Sequence, residues 1–200
     1  ILIPGGTYKY SVTKKQTEVP PLYVAKYPVT NKQYRRFIQY LRGEKVVREM
    51  ESLPLNMFAD SLVAHAKPIE GMLKGIGSEP RKWTEQLVSK YDDDKRFNGD
   101  DQPVVGVSWY ATVAYCHWLT ELAGQINPLR GRRPEKSLFR LPNEEEWEWA
   151  AGGGKRIYPW GEEEPDEKRA NYDQKVGQTT PVGAYPAGTT PDGLMDMAGN

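Results

Sequence analysis

Three stretches of this chain hold residue types that do chemistry. Arg140 to Gly161 reads RLPNEEEWEWAAGGGKRIYPWG and sets glutamates at 144, 145, 146 and 148 among three tryptophans. Two carboxylates whose environments push their pKa values apart do general acid–base work. Cys116 and His117 place a thiol beside an imidazole, the pairing of a nucleophilic site. Residues 91–101, YDDDKRFNGDD, gather acids in the manner of a calcium loop.

Each stretch also has a structural reading. Asn143 with Glu146 has the spacing of a helix capping box, and Glu144 and Glu145 fall in the first turn, where the helix dipole favours carboxylates. Trp147, Ala150 and Ala151 are expected to form that helix's buried face, and the glycines at 152–154 supply a left-handed stop. Glu145 is expected to be dispensable. Cys116 and His117 are neighbours on a helix, where successive side chains point about a hundred degrees apart, so the thiol reads as a small core residue. The acidic stretch fails the calcium-loop test: aligning Gly99 to the turn puts Arg96 at a ligand position and Val105 where a glutamate should close the site.

The elements that must position these groups follow from periodicity. Residues 1–29 alternate β-branched and aromatic residues with turn formers, which suits strands. Thr30 and Gln33 form a capping box for a helix whose buried face is Tyr34, Phe37, Ile38 and Leu41, stopped by Gly43. Residues 44–101 read as an insertion that covers the core, with helices near 55–66 and 80–91. QPVVGVSW, from Gln102, reads as a buried strand; Ser108 caps the next helix, whose stripe is Ala111, Ala114, Tyr115, Trp118, Leu119 and Leu122. Beyond Gly154 the helical period vanishes, leaving irregular, loop-rich backbone of the kind that carries binding sites.

The chain has 200 residues, 27 basic and 27 acidic side chains and one cysteine. Balanced charge argues against nucleic-acid binding by field alone. One cysteine excludes an intramolecular disulfide framework and fits a reducing cytoplasm, with secretion or surface display as the alternative. No apolar run spans a bilayer, so no membrane partner is expected. The arginine-rich 130–133 run, broken by Gly131 and followed by Pro134, reads as a solvated loop.

Taken in order, IPGGTY, YPVTNKQYRRF, PVVGVSWYATVAYCHWL, FRLPNEEEWEWAAGGG, YPWG, RAN, TTPVGAYPAG and DGLMDMAGN resemble the formylglycine-generating enzyme, or sulfatase-modifying factor, family over nearly the whole chain. The resemblance implies an α+β fold, a variant of the C-type lectin fold, as one domain over 1–200 with 44–101 inserted. The family holds copper-dependent oxidases that convert a sulfatase cysteine to formylglycine, iron-dependent sulfoxide synthases, and non-enzymatic domains such as the variable proteins of diversity-generating retroelements. The oxidases' cysteine pair follows the GN that here is Gly199-Asn200, and Cys116 matches the family's helical AYC instead. The C-terminal part of the fold is therefore expected after residue 200, in a longer chain or on a second fragment.

For metal, the resemblance implies calcium at Asn171 and the backbone carbonyl of Tyr172, with Asn200 in a second site; the segment that supplies a further carboxylate is shortened to QKVGQ. The polar insertion from Thr120 to Leu138 and YKYSV in place of MGS resemble bacterial multidomain and retroelement-variable members more than oxidases. The expectation is a non-catalytic domain binding or displaying a protein or small-molecule ligand; the alternatives are a copper-dependent oxidase or related metal enzyme with catalytic residues after residue 200, and a structural spacer.

Overall fold

The computed structural model describes residues 1–42, 80–129 and 139–200. The helix expected near 55–66 lies outside them, as do Gly43 and the arginine-rich loop. The chain divides into two compact units: Ile1–Asn31 with Asp94–Val104 and Pro142–Asn200, and Lys32–Asp93 with Val105–Leu141. The described elements are strands β1 (Leu2–Ile3), β2 (Gly6–Lys9), β3 (Gln16–Val19) and β4 (Leu22–Tyr23), and helices α1 (Asn31–Leu41), α2 (Pro80–Leu87), α3 (Trp109–Leu129) and α4 (Glu144–Ala151). Helices and strands together make the fold α+β, as expected.

In the first unit, β2 and β3 form an antiparallel hairpin in the register Gly6↔Val19 to Lys9↔Gln16, and β1 pairs with β4 through Leu2↔Tyr23. Strand alternation turns Tyr8 and Val19 inward, with Tyr10 buried at the strand's end. This small apolar face docks on α4. The capping box is formed as expected: Glu146 N–H donates to Asn143 Oδ1 at 2.7 Å and Asn143 N–H to Glu146 Oε2 at 2.9 Å. Gly153 and Gly154, at φ 55° and 69°, make the left-handed stop.

The buried face of α4 differs from the expectation. Trp147 is 49% exposed, and Trp149 turns inward beside Ala150. Trp149 packs on Tyr8 with ring centroids 5.5 Å apart and donates its indole N–H to the Pro4 carbonyl at 2.9 Å. A Cβ on Gly6 would lie 2.6 Å from the indole, and one on Gly153 2.5 Å, so the two bare backbones form the walls of the slot. The slot explains one glycine in each of IPGGTY and AAGGG, Gly6 and Gly153. The glutamates complete the clasp: Tyr10 Oη donates to Glu144 Oε2 at 2.7 Å, Tyr8 Oη to the Glu145 carbonyl at 2.9 Å, and Ser11 N–H and Oγ–H to the two Glu148 oxygens at 2.9 and 2.5 Å.

In the second unit, Tyr34, Phe37, Ile38 and Leu41 are all buried as α1's periodicity predicts, and Ala111, Ala114, Tyr115 and Trp118 are buried on α3. Phe37 meets Tyr115 edge-on at 5.8 Å and Trp118 at 5.6 Å, and Tyr34 meets Tyr115 at 5.5 Å, geometries that suit the charge distribution of aromatic rings. Ser108 Oγ accepts the Ala111 N–H at 3.2 Å, as a cap should. Residues of α2 are part of this core. Leu87 and Thr84 of α2 are buried, and the Leu87 carbonyl accepts the Tyr34 hydroxyl at 2.6 Å.

QPVVGVSW is not a strand. It makes one isolated bridge, Thr30↔Pro103, with Val104 N–H donating to the Val29 carbonyl at 2.9 Å, and then turns. Gly106 at φ 67° breaks the extension, and a Cβ there would lie 2.5 Å from the Tyr91 ring. Past Gly154 the chain is irregular as expected, with a single 3₁₀ turn at Pro186–Gly188.

Two outcomes test this arrangement. Trp149→Ala should cost about 2–3 kcal/mol in chemical denaturation, below the range for a fully enclosed tryptophan, while Trp147→Ala should stay within about 0.5 kcal/mol. The hairpin clasp should also show in an alkaline titration. Burial, then Glu148 and Glu145, push the Tyr8 hydroxyl up to about 12, and the Glu144 hydrogen bond pushes Tyr10 up to about 12. Protonated tyrosines favour the docked state, so that stabilisation is whole below about pH 10 and is lost as pH climbs through the raised values. In Glu144→Gln/Glu148→Gln the late part of the tyrosinate absorbance should move to lower pH, through Tyr10 more than through Tyr8, which burial still holds up.

Candidate functional site

The groups singled out for chemistry are held by structural contacts. Cys116 sits half-buried on α3 between Tyr115 and His117, and burial pushes its thiol up from its ordinary value. A reactive cysteine needs the opposite, an electropositive setting that lowers the pKa and exposes the thiolate. The glutamates of α4 are likewise committed. Glu146 is 5% exposed in its capping box, while Glu144 and Glu148 hold the hairpin. The surface around them is a clasp and not an acid–base cleft.

Two of the five acids in 91–101 are paired with arginines, one of them from within the stretch. Arg35 Nε lies 3.0 Å from Asp92 Oδ1 in the second unit. In the first unit, Arg96 grips Asp94 in a fork, at 3.0 Å through Nε and 2.6 Å through Nη2, which holds the Asp94 carboxyl below its ordinary value. A basic residue inside the loop takes up the charge that a calcium loop would offer to the ion. Among the described residues, no three or more His, Cys, Asp or Glu side chains gather in a metal-binding group.

Asn171, Tyr172 and Asn200 come together in the irregular half. Asn171 is buried, and its carbonyl accepts the Asn200 N–H at 3.1 Å. The Asn171 amide nitrogen donates to the Gln178 carbonyl at 2.8 Å, and the Tyr172 carbonyl accepts the Lys175 N–H at 3.2 Å. Asn200 Oδ1 accepts both the N–H and the hydroxyl of Thr180, at 2.7 and 3.0 Å. Calcium asks for six to eight oxygen donors, and here the Asn171 and Tyr172 carbonyls and Asn200 Oδ1 already accept hydrogen bonds within the chain. As placed, these three residues fit a hydrogen-bonded closure better than a calcium cage.

Two features of this half escaped the sequence reading. Tyr158 and Trp160 stack face to face, 5.4 Å between centroids and 7° between planes, across the tight Tyr158↔Gly161 bridge. Each ring is pinned at its polar tip: Tyr158 Oη donates to Glu164 Oε2 at 2.8 Å and Trp160 Nε1–H to the Glu163 carbonyl at 2.9 Å. Beside them Ile157 is 71% exposed. The sequence signal was YPWGEEE, two rings separated by one proline and followed by acceptors. The second feature is Asp196, in a left-handed conformation at φ 57°, whose carboxylate accepts the Gly183 N–H at 2.7 Å and is pushed up in pKa by burial. Its signal was an acid between the two methionines of LMDM.

Comparison with known proteins supports the resemblance. The model of the sulfatase-modifying factor enzyme 1-like domain matches residues 1–200. The chain is similar to the serine/threonine-protein kinase pkn1 of Chlamydia caviae, 33% identical over 178 residues, covering 81% of this chain and 25% of the relative. It is similar to the hercynine oxygenase of Mycobacterium tuberculosis, 39% identical over 105 residues, covering 50% of this chain and 20% of the relative. It is also similar to the inactive C-alpha-formylglycine-generating enzyme 2 of Bos taurus, 26% identical over 228 residues, covering 100% of this chain and 67% of the relative. The chain thus spans a quarter or less of the length of the first two. With a family model matched from the first residue to the last, the chain belongs to the sulfatase-modifying factor enzyme 1-like family.

Proposed function

We propose that this domain is a non-catalytic ligand-binding module of its family, with specificity carried by the irregular C-terminal half. The observation that carries this reading is the commitment of Cys116 and the α4 glutamates to packing, capping and the hairpin clasp. The pinned Tyr158–Trp160 pair offers the complement, a preorganised aromatic surface on a loop-rich scaffold, where little side-chain entropy remains to be lost on binding. The ligand is a protein or small molecule. A display role like that of retroelement variable proteins falls within this reading, and so does a module joined to a larger chain, since the similar kinase is about four times as long as the stretch it shares. The inactive formylglycine-generating relative shows that the family's domain is retained in a protein named as lacking the activity.

A second reading, a metal-dependent oxidase, is favoured by the 39% identity to a hercynine oxygenase over half of this chain. Offering the protein copper or iron in air together with a sulfatase-type cysteine peptide separates the two. Mass spectrometry should find the peptide unchanged; conversion of its cysteine would overturn the binding role.

Cys116→Ala should lower stability by about 1 kcal/mol and leave the fold intact, and the native thiol should react with a neutral-pH thiol reagent far more slowly than the denatured one. Rapid native labelling would show an accessible, activated thiol instead.

A further inference from the structure

The residues that the family resemblance marks as calcium ligands sit in a loop that carries its own cation. The Lys175 ammonium lies 2.8 Å from the Tyr172 hydroxyl and 4.4 Å from the centroid of the Tyr172 ring, while the same hydroxyl donates to the Pro165 carbonyl at 2.8 Å. An ammonium is charged at neutral pH, so the loop brings its own positive charge to the Tyr172 side chain. The Tyr172 carbonyl also accepts the Lys175 N–H at 3.2 Å, so Lys175 holds both the side chain and the backbone of Tyr172.

The other half of the closure is equally built. Asn200 makes three hydrogen bonds to Thr180, accepting its N–H and hydroxyl and returning Nδ2–H to its carbonyl at 3.1 Å. Gly199, at φ 82°, lets the chain pass so close to Asn171 that a Cβ would lie 2.4 Å from the Asn171 carbonyl oxygen. Only glycine tolerates both conditions, and its place there lets Asn200 N–H reach that carbonyl. The Asn171 amide then spans to the Gln178 carbonyl and shuts the loop.

We propose that residues 171–200 are closed by this lock of Asn171, Thr180, Asn200 and the Lys175 ammonium in place of calcium, so that the domain holds its C-terminal half without metal. The lock removes a metal requirement from the irregular half. It also explains how the shortened QKVGQ segment keeps a fixed course: a lysine stands in the segment where the resembled enzymes supply a carboxylate.

Thermal unfolding of the protein in millimolar calcium and in excess chelator tests this directly. The two midpoints should coincide. Thr180→Val should lower the midpoint by about 2–4 °C, equally in both buffers, as loss of roughly one hydrogen bond's worth of stability in a chain of this size would do. Lys175→Gln, an exposed change that leaves the core untouched, should speed proteolytic cleavage between 172 and 178 in both buffers. Terbium ions supply a second readout, because a lanthanide bound beside Tyr172 would emit when the tyrosine is excited; no such emission should appear. A saturable calcium-induced rise in the midpoint, or tyrosine-sensitised terbium emission that calcium displaces and Asn171→Ala abolishes, would overturn the proposal. So would a Lys175→Gln protein cleaved at the parent rate.

Discussion

The first unit depends on one buried amide. Gln102 is 8% exposed and uses its side chain in both directions: Oε1 accepts the Gly99 N–H at 2.7 Å, and Nε2 donates to the carbonyls of Arg96 at 3.1 Å and Thr179 at 2.5 Å. Its backbone carbonyl accepts the Asn31 N–H at 2.9 Å, and Asn31 Nδ2 in turn donates to the carbonyls of Phe97 and Gly99. Three separate pieces of chain therefore meet on two amides. A buried amide left unpaired costs about 1–3 kcal/mol per lost partner, so these two side chains fix the loop 94–102 far more firmly than its polar composition suggests. The loop in turn receives the C-terminal half, since the Asp101 carbonyl accepts the Val182 N–H at 2.8 Å.

Reliance on amides follows from the lack of ladders. The described strands of this unit hold two to four residues each, and after Gly154 its backbone forms no helix beyond one 3₁₀ turn. Backbone polar groups removed from water must still be paired. Asparagine, glutamine and threonine do what a sheet would otherwise do, and their short side chains fix the loops residue by residue. Apolar packing is concentrated elsewhere: in the Tyr8–Trp149 slot of this unit, and in the second unit in the rings of Tyr34, Phe37, Tyr115 and Trp118.

What was legible in the sequence follows the same division. The buried faces of α1 and α3 were readable because periodicity depends only on spacing, and the α4 capping box because it closes within four residues. Choosing Trp147 over Trp149 failed for a physical reason. An eight-residue helix has two turns, and which tryptophan turns inward is decided by where the hairpin leaves its glycine-walled slot. QPVVGVSW misled because β-branched residues fit a strand, whereas the Gln102 contacts and Gly106's positive φ are tertiary facts. Asn171 and Asn200 were marked by the resemblance as ligands of two calcium sites, whereas the hydrogen bonds each makes to Gln178 and Thr180 depend on tertiary placement that spacing does not show.

A scaffold fixed by buried amides has a consequence for binding. In the irregular half most residues that hold the backbone and those that face solvent are different residues, Lys175 being an exposed member of the lock. Thr179 and Asn171 are buried and hydrogen-bonded through their backbone or amide groups, while Ile157 and Val176 are exposed and Tyr158 and Trp160 are held by acceptors at their edges. The outward set is therefore free to differ in chemistry without touching the lock at Asn200 or the amide at Gln102. The same physics that lets an irregular segment hold its shape thus favours the proposed division of labour, recognition at the half-buried Tyr158–Trp160 pair with exposed Ile157 beside it, and structure beneath.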